Sequence, residues 1–186
     1  MPRKPREDVA GGIHHVVAKG VDDRAIVVDD HDRDVLLDRL GGAVFRHRWS
    51  CLAYCLLSTH LHLVVGTARP NLGIGMQWLL GPYAQAFNRK HDRRGHLFGG
   101  RYYSTRVQSE NHLVAALTYV ELNPVRAGLV ESPEHWPWSS YAATVGRRRA
   151  PDFLDVDAVL DLVDSDHEKA RLRFALAVRE AQLRRS

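Results

Sequence analysis

The sequence predicts an α+β fold: a ferredoxin-like antiparallel sheet with helices packed on one face, extended by a helical C-terminal tail. Three observations carry this prediction. Apolar runs of strand character and segments of helical period follow the order strand, helix, strand, strand, helix, strand, helix. The second and third strand runs are separated only by Ser58-Thr59, the spacing of an antiparallel hairpin. No Pro-rich or Ser/Gly-rich linker interrupts the 186 residues, so one ordinary core is expected.

Ile13-His14-His15-Val16-Val17-Ala18-Lys19 reads as the first strand, closed by Gly20. Asp32 to Val44 sets Val35, Leu36, Leu37 and Leu40 at helical spacing, with Asp residues near its start, where the helix dipole favours negative charge. Arg48 to Leu57 and His60 to Gly66 form the two arms of the hairpin. Leu72 to His91 carries Leu72, Met76, Leu79, Leu80, Tyr83 and Phe87 on one helical face, and Gly81-Pro82 predicts a kink or break. Gly95 then punctuates, and a fourth strand is expected within Leu97 to Val107. Ser109 is placed to cap a helix over Glu110 to Asn123. Trp136-Pro137-Trp138-Ser139-Ser140-Tyr141 reads as an aromatic anchor, Gly146-Arg147-Arg148-Arg149 as a basic break, and Asp155 to Arg184 as two helices. The chain accordingly divides into a basic leader over 1–12, a main domain over 13–145 and a helical tail over 146–186.

Charge placement says more about partners than the formal net charge of +4. Arg89, Lys90, Arg93, Arg94, Arg101 and Arg106 face only Asp92 in their stretch and alternate with Phe87, Phe98, Tyr102 and Tyr103. Cations among aromatics suit a phosphate backbone and unstacked bases, although a solvated basic face has the same composition. Cys51 and Cys55 make neither a disulfide framework nor a structural zinc site, and read as small buried strand residues. No apolar stretch approaches the ~20 residues of a membrane helix, and Met-Pro-Arg-Lys-Pro-Arg leads into no apolar signal region. A cytoplasmic protein without membrane contact is expected.

His60-Leu61-His62 is the most informative motif. In a strand both imidazoles point to the same face, so two nitrogen ligands converge on one point. Such a pair leaves coordination positions open, as a divalent metal acting on a substrate requires. Two histidines of a half-buried strand can equally bond only backbone and water.

Tyr119 and Asn123 lie four residues apart and share a helical face. A phenol becomes a nucleophile where a metal or base favours its phenolate, and the Asn123 carbonyl oxygen is a candidate third metal ligand. With His60 and His62 this set can polarise a phosphate and stabilise a leaving oxygen. Blander roles exist for both: Tyr119 as a packed aromatic, and Asn123 as the N-cap of Asn123-Pro124-Val125-Arg126-Ala127-Gly128, with proline at the first helical position and a terminating glycine.

At these residues the sequence resembles the HUH single-strand nucleases, and more closely the REP-associated tyrosine transposases of the single-tyrosine insertion-sequence class. The resemblance rests on Ile13 to Gly20, Ala53 to Leu63, Tyr83 to Lys90, Gly95 to Tyr102 and Tyr119 to Gly128, extended by Trp136 to Tyr141. It implies His60 and His62 as the metal pair, Asn123 as the additional ligand and Tyr119 as the nucleophile. Ser58-Thr59 departs from the family, whose members commonly carry an acidic residue or proline followed by asparagine there, and is assigned no ligand. Tyr102 and Tyr103 are competing phenols expected on DNA instead, and Tyr54 and Tyr83 are expected in the core.

The implied activity is cleavage and rejoining of single-stranded DNA near hairpins such as repetitive extragenic palindromes, using Mg²⁺ or Mn²⁺ and a 5′-phosphotyrosine link. Arg89, Lys90, Arg93, Arg94, Arg101 and Arg106 would hold the backbone, with Tyr102, Tyr103 or Phe98 stacking on bases. The implied partner is single-stranded or hairpin DNA, and family members can act as homodimers with Tyr119 working in its own subunit or its neighbour. Two other function classes fit parts of the pattern. One is a catalytically silent hairpin-DNA-binding regulator on the same scaffold. The other is an RNA-binding ferredoxin-like module, which would carry aromatics where this chain has His60 and His62.

Overall fold

The structure is a computed structural model that describes residues 8–184. The predicted basic leader over 1–12 lies outside the described residues as far as residue 7. Four antiparallel strands, β1 (Gly12–Lys19), β2 (Trp49–Leu56), β3 (His60–Thr67) and β4 (Tyr103–Arg106), form one sheet in the order β2-β3-β1-β4. The predicted hairpin is β2–β3, with Leu56 opposite Leu61 and Cys55 opposite His62. In β3 against β1, Val17 faces His62 and Lys19 faces His60. Gly20 closes β1 because a Cβ there would lie 2.0 Å from the Arg24 carbonyl oxygen.

Helices α1 (Asp30–His47) and α2 (Leu72–Lys90) cover one face of the sheet, burying Leu36, Leu40, Met76, Leu79 and Tyr83 against Val16, Leu61 and Leu63. Asp29 and Asp32 make a reciprocal capping box at the start of α1. Lys90 and His91 bond Asp32 from the end of α2, tying the two helices together. The kink expected at Gly81-Pro82 does not break α2. Proline leaves the Trp78 carbonyl without its helical donor, and Arg39 of α1 supplies one instead, donating Nη2 to Trp78 O at 2.8 Å and Nε to Leu79 O at 3.2 Å.

Helices do not stop at that face. α3 (Glu110–Glu121), capped by Ser109 as predicted, packs on the other side of β2 and β3. It is backed by α6 (Val156–Asp161) and α7 (His167–Leu183), the two helices expected in the tail, which press Val159, Phe174 and Val178 into the same cluster. The short helices α4 (Asn123–Arg126) and α5 (Tyr141–Thr144) connect them. The cause lies in β2, which is buried along almost its whole length: Tyr54 and Leu56 face α1 and α2, while Leu52, Ala53 and Cys55 face α3. A strand covered on both sides loses the polar-out alternation of a half-open sheet. The open sheet face is thereby reduced to the region of β1, β3 and β4 that α3 overhangs. Cys51 and Cys55 are buried free thiols, as expected.

Glu121, at the end of α3, is fully buried, with the Ser140 hydroxyl 2.6 Å from Oε1 and no partner for Oε2. Burial pushes its carboxyl up to about 8, against the weaker opposing effect of the Ser140 hydrogen bond, so it is uncharged at neutral pH. The folded chain therefore keeps a proton that the unfolded chain releases above its ordinary carboxylate pKa, and stability falls as pH rises from about 4.5 to about 8. The slope from this group is roughly 1.4 kcal/mol per pH unit. Urea unfolding of Glu121→Gln between pH 5 and pH 8 is expected to lose that slope. A variant that tracks the parent across the range would assign the proton elsewhere.

Candidate active site

Strand periodicity places His60 and His62 on the α3 face of β3, as predicted, with ring centroids 4.8 Å apart. β1, hydrogen-bonded to β3, adds His15 on the same face: its Nε2 lies 3.2 Å from His62 Nδ1 and the two rings stack at 5.5 Å. Tyr119 projects from the last turn of α3 over this group. Its ring lies edge-on to His62 at 5.7 Å and to His15 at 5.5 Å. Phenol and imidazole pair thus belong to the same chain and meet on one side of the sheet. Thr59 Oγ1 lies 2.8 Å from His60 Nδ1.

Together His60, His62 and Tyr119 line an open cleft of about 530 Å³, walled by Val17, Lys19, Gly100, Arg101 and Tyr103. His62 is nearly buried at its floor, whereas Tyr119 is 38% exposed. Burial pulls all three imidazoles below the ordinary histidine value. His62 is brought down to about 3 by desolvation first, then by the charges of His60, His15 and Arg126. Lys19 adds to the effect on His60, and His112 to that on His15. At neutral pH the site presents uncharged nitrogen donors.

Arg126, on α4, stacks its guanidinium 4.4 Å from the centre of the Tyr119 ring. α4 folds back tightly after α3 because Asn123 and Pro124 start a single turn that ends before Gly128, whose φ of +67° suits glycine. Asn123 is not the N-cap that the local pattern suggested. Leu122 takes that position, and the Asn123 amide nitrogen donates instead to Tyr119 O at 2.9 Å and to Val120 O at 3.4 Å. Its side chain is buried and is not among the residues that line the cleft.

Of the residues expected on DNA, Arg101 and Tyr103 line the cleft, and Phe98 packs against the core instead. Tyr103 is 69% exposed, but Tyr102 is 9% exposed and packed in the core, which corrects the stacking role expected of it. Neighbours on a strand point to opposite faces, and pairing of Tyr103 with Val17 fixes which one faces out. Lys90 is engaged by Asp29 and Asp32, and Arg93 lies over the Phe87 ring with a bond toward Ala25 O. Arg89 and Arg94 are exposed around the end of α2, and Arg106 stands on β4 opposite His14, none of them in the cleft wall.

Two uncharged imidazoles side by side fit a divalent transition ion such as Mn²⁺ better than Mg²⁺, which prefers oxygen. Among the described residues no group of three His, Cys, Asp or Glu side chains is placed to hold a metal. Further donors would therefore be of another kind: the Asn123 amide oxygen, water or substrate phosphate. His15 and Arg126 are the site residues that reading the sequence assigned no role.

No protein-family model matches the chain. A protein of Haemophilus influenzae named "Putative REP-associated tyrosine transposase" is 23% identical over 145 residues, covering 68% of this chain and 82% of that protein. The solved structure of a REP-associated tyrosine transposase bound to a REP hairpin superposes with a TM-score of 0.68 at 15% identity, covering 90% of this chain and 96% of the other. In sequence and in fold, the chain is similar to the REP-associated tyrosine transposases.

Proposed function

We propose that this chain is a transposase-like endonuclease and strand transferase that binds single-stranded hairpin DNA of the REP type and cleaves it through Tyr119. The observation that carries the reading is the edge-on contact of Tyr119 with His62 at 5.7 Å within one chain, at a cleft that also exposes Arg101 and Tyr103.

Arg101 holds backbone phosphate and Tyr103 offers a ring to an unpaired base at the cleft mouth. The scissile phosphate lies between the imidazoles and Tyr119. The Tyr119 oxygen attacks phosphorus and loses its proton to solvent; the bond to the 3′ oxygen breaks, and that oxygen takes a proton from solvent and leaves as a 3′-hydroxyl. The product is a 5′-phosphotyrosine, and attack by a 3′-hydroxyl reverses it without ATP. Held by His60 and His62, with Asn123 as a further ligand, a divalent ion would polarise the phosphate and neutralise the leaving oxygen. Arg126 stabilises the phenolate through its charge beside the ring. In this reading Tyr119 acts on a phosphate held at the imidazoles of its own chain.

The test is incubation with single-stranded REP-like hairpins, with Mn²⁺ or with EDTA. Nicking with Mn²⁺ alone is the expected result. Salt-sensitive hairpin binding with no nicking in any divalent metal would favour the silent regulator, and preference for RNA over DNA hairpins would favour an RNA-binding module. Arg126→Ala is expected to slow cleavage about 100- to 1,000-fold, the scale of losing one charge-stabilising donor, with little change in hairpin affinity. Equal loss of binding and cleavage in a titration of both would make Arg126 a DNA-holding residue instead.

A further inference from the structure

Each imidazole of the pair has two ring nitrogens, and a neutral ring carries a proton on one and a lone pair on the other. Which nitrogen can take a ligand is set by the bond the other makes. His62 Nδ1 meets His15 Nε2 at 3.2 Å, and His60 Nδ1 meets Thr59 Oγ1 at 2.8 Å. Both contacts engage Nδ1 and leave Nε2 as the nitrogen for a ligand. The two partners reach their rings from different elements, one from the neighbouring strand and one from the hairpin turn.

We infer that His15 is a positioning residue for His62: it accepts the His62 Nδ1–H through its own Nε2 lone pair and so keeps a lone pair on His62 Nε2 for a divalent cation. The opposite direction, with His15 donating, would put the proton on His62 Nε2 and close that nitrogen to a metal. The accepting arrangement requires His15 to be neutral with its proton on Nδ1. The ring stack on His62 at 5.5 Å and the Tyr119 edge at 5.5 Å pack the His15 ring between these two neighbours. Outer-sphere acceptors of this kind typically change metal affinity 10- to 100-fold when removed. The inference rests on the metal-binding reading of His60 and His62 given above.

Two readouts test it without relying on cleavage. Long-range ¹H–¹⁵N correlation spectra of the metal-free protein report the His62 tautomer, and calorimetric titration reports Mn²⁺ affinity. The expected result is a His62 Nδ1–H tautomer and a wild-type Mn²⁺ affinity that falls about 10- to 100-fold in His15→Phe, which keeps a ring against Tyr119 but has no nitrogen. His15→Gln, whose carbonyl can accept the same proton, is expected to recover most of the affinity, and all three proteins to bind hairpin DNA in EDTA within about twofold, because the contact is not to DNA. A wild-type His62 protonated on Nε2, or Mn²⁺ affinity unchanged in His15→Phe, overturns the role of His15 while leaving the metal pair standing. A wild-type chain that takes no Mn²⁺ overturns the metal pair, and the role of His15 with it.

Discussion

Replacing Tyr119 with phenylalanine is expected to abolish the covalent protein–DNA adduct while leaving hairpin binding within about twofold, since the change removes one oxygen from a ring that is already 38% exposed. Packing should survive: the ring contacts with His15, His62 and Arg126 are made by carbon faces and edges that phenylalanine retains. Tyr103 is the informative control, because it lines the same cleft and is more exposed than Tyr119. Tyr103→Phe should cut normally. Should Tyr119→Phe still form the adduct and Tyr103→Phe not, the nucleophile is on β4 and the role given to α3 is wrong. Gel shift and denaturing electrophoresis on the same hairpin separate the two quantities.

The second large effect is expected from the imidazole pair. His60→Ala with His62→Ala should remove metal-dependent cleavage altogether, because no imidazole then remains on β3 and His15 alone cannot replace the pair. Both rings are neutral across the physiological range, since burial keeps them below the ordinary value and brings His62 to about 3. Protonation therefore does not compete with a metal until the solution is acidic. Mn²⁺-supported cleavage should hold steady from pH 8 down to pH 6 as far as His62 is concerned, and undiminished cleavage in the double variant would dismiss the metal pair. Thermal unfolding serves as the control for the nearly buried His62, whose removal leaves a cavity.

Which parts of this site could be read from the chain follows from the range of the interactions involved. The common face of His60 and His62 is a two-residue relation inside one strand, and period two fixed it. The one-turn relation of Tyr119 and Asn123 was equally local, but the meeting of α3 with β3 is not local, and only the family resemblance pointed to it. His15 joined the site through strand order. β3 pairs with β1 as well as β2, which puts His15 diagonally across from His62, and no local pattern in Ile13 to Lys19 announces that neighbour. Arg126 is brought to Tyr119 by the tight α3–α4 turn, again after the helix has ended.

The fold class was legible for the same reason as the hairpin: elements and their order are local. Helix placement was less so, because the run from Cys51 to Leu57 is apolar on both sides and a half-covered sheet was the simpler expectation. The continuity of α2 through Pro82 depended on Arg39, forty-three residues earlier in the chain. The basic stretch shows the limit of composition. Its charges and aromatics were counted together, yet Tyr102 and Tyr103 point to opposite sides and Lys90 already has two carboxylates.

Peptide mapping of the adduct formed with a single-stranded hairpin and Mn²⁺ tests the account most directly. Mass spectrometry should find an oligonucleotide joined by its 5′-phosphate to the peptide containing Tyr119, in protein that is monomeric as well as in any that is not. An adduct on another tyrosine, or one that survives removal of both His60 and His62, would contradict the assignment of the cleft.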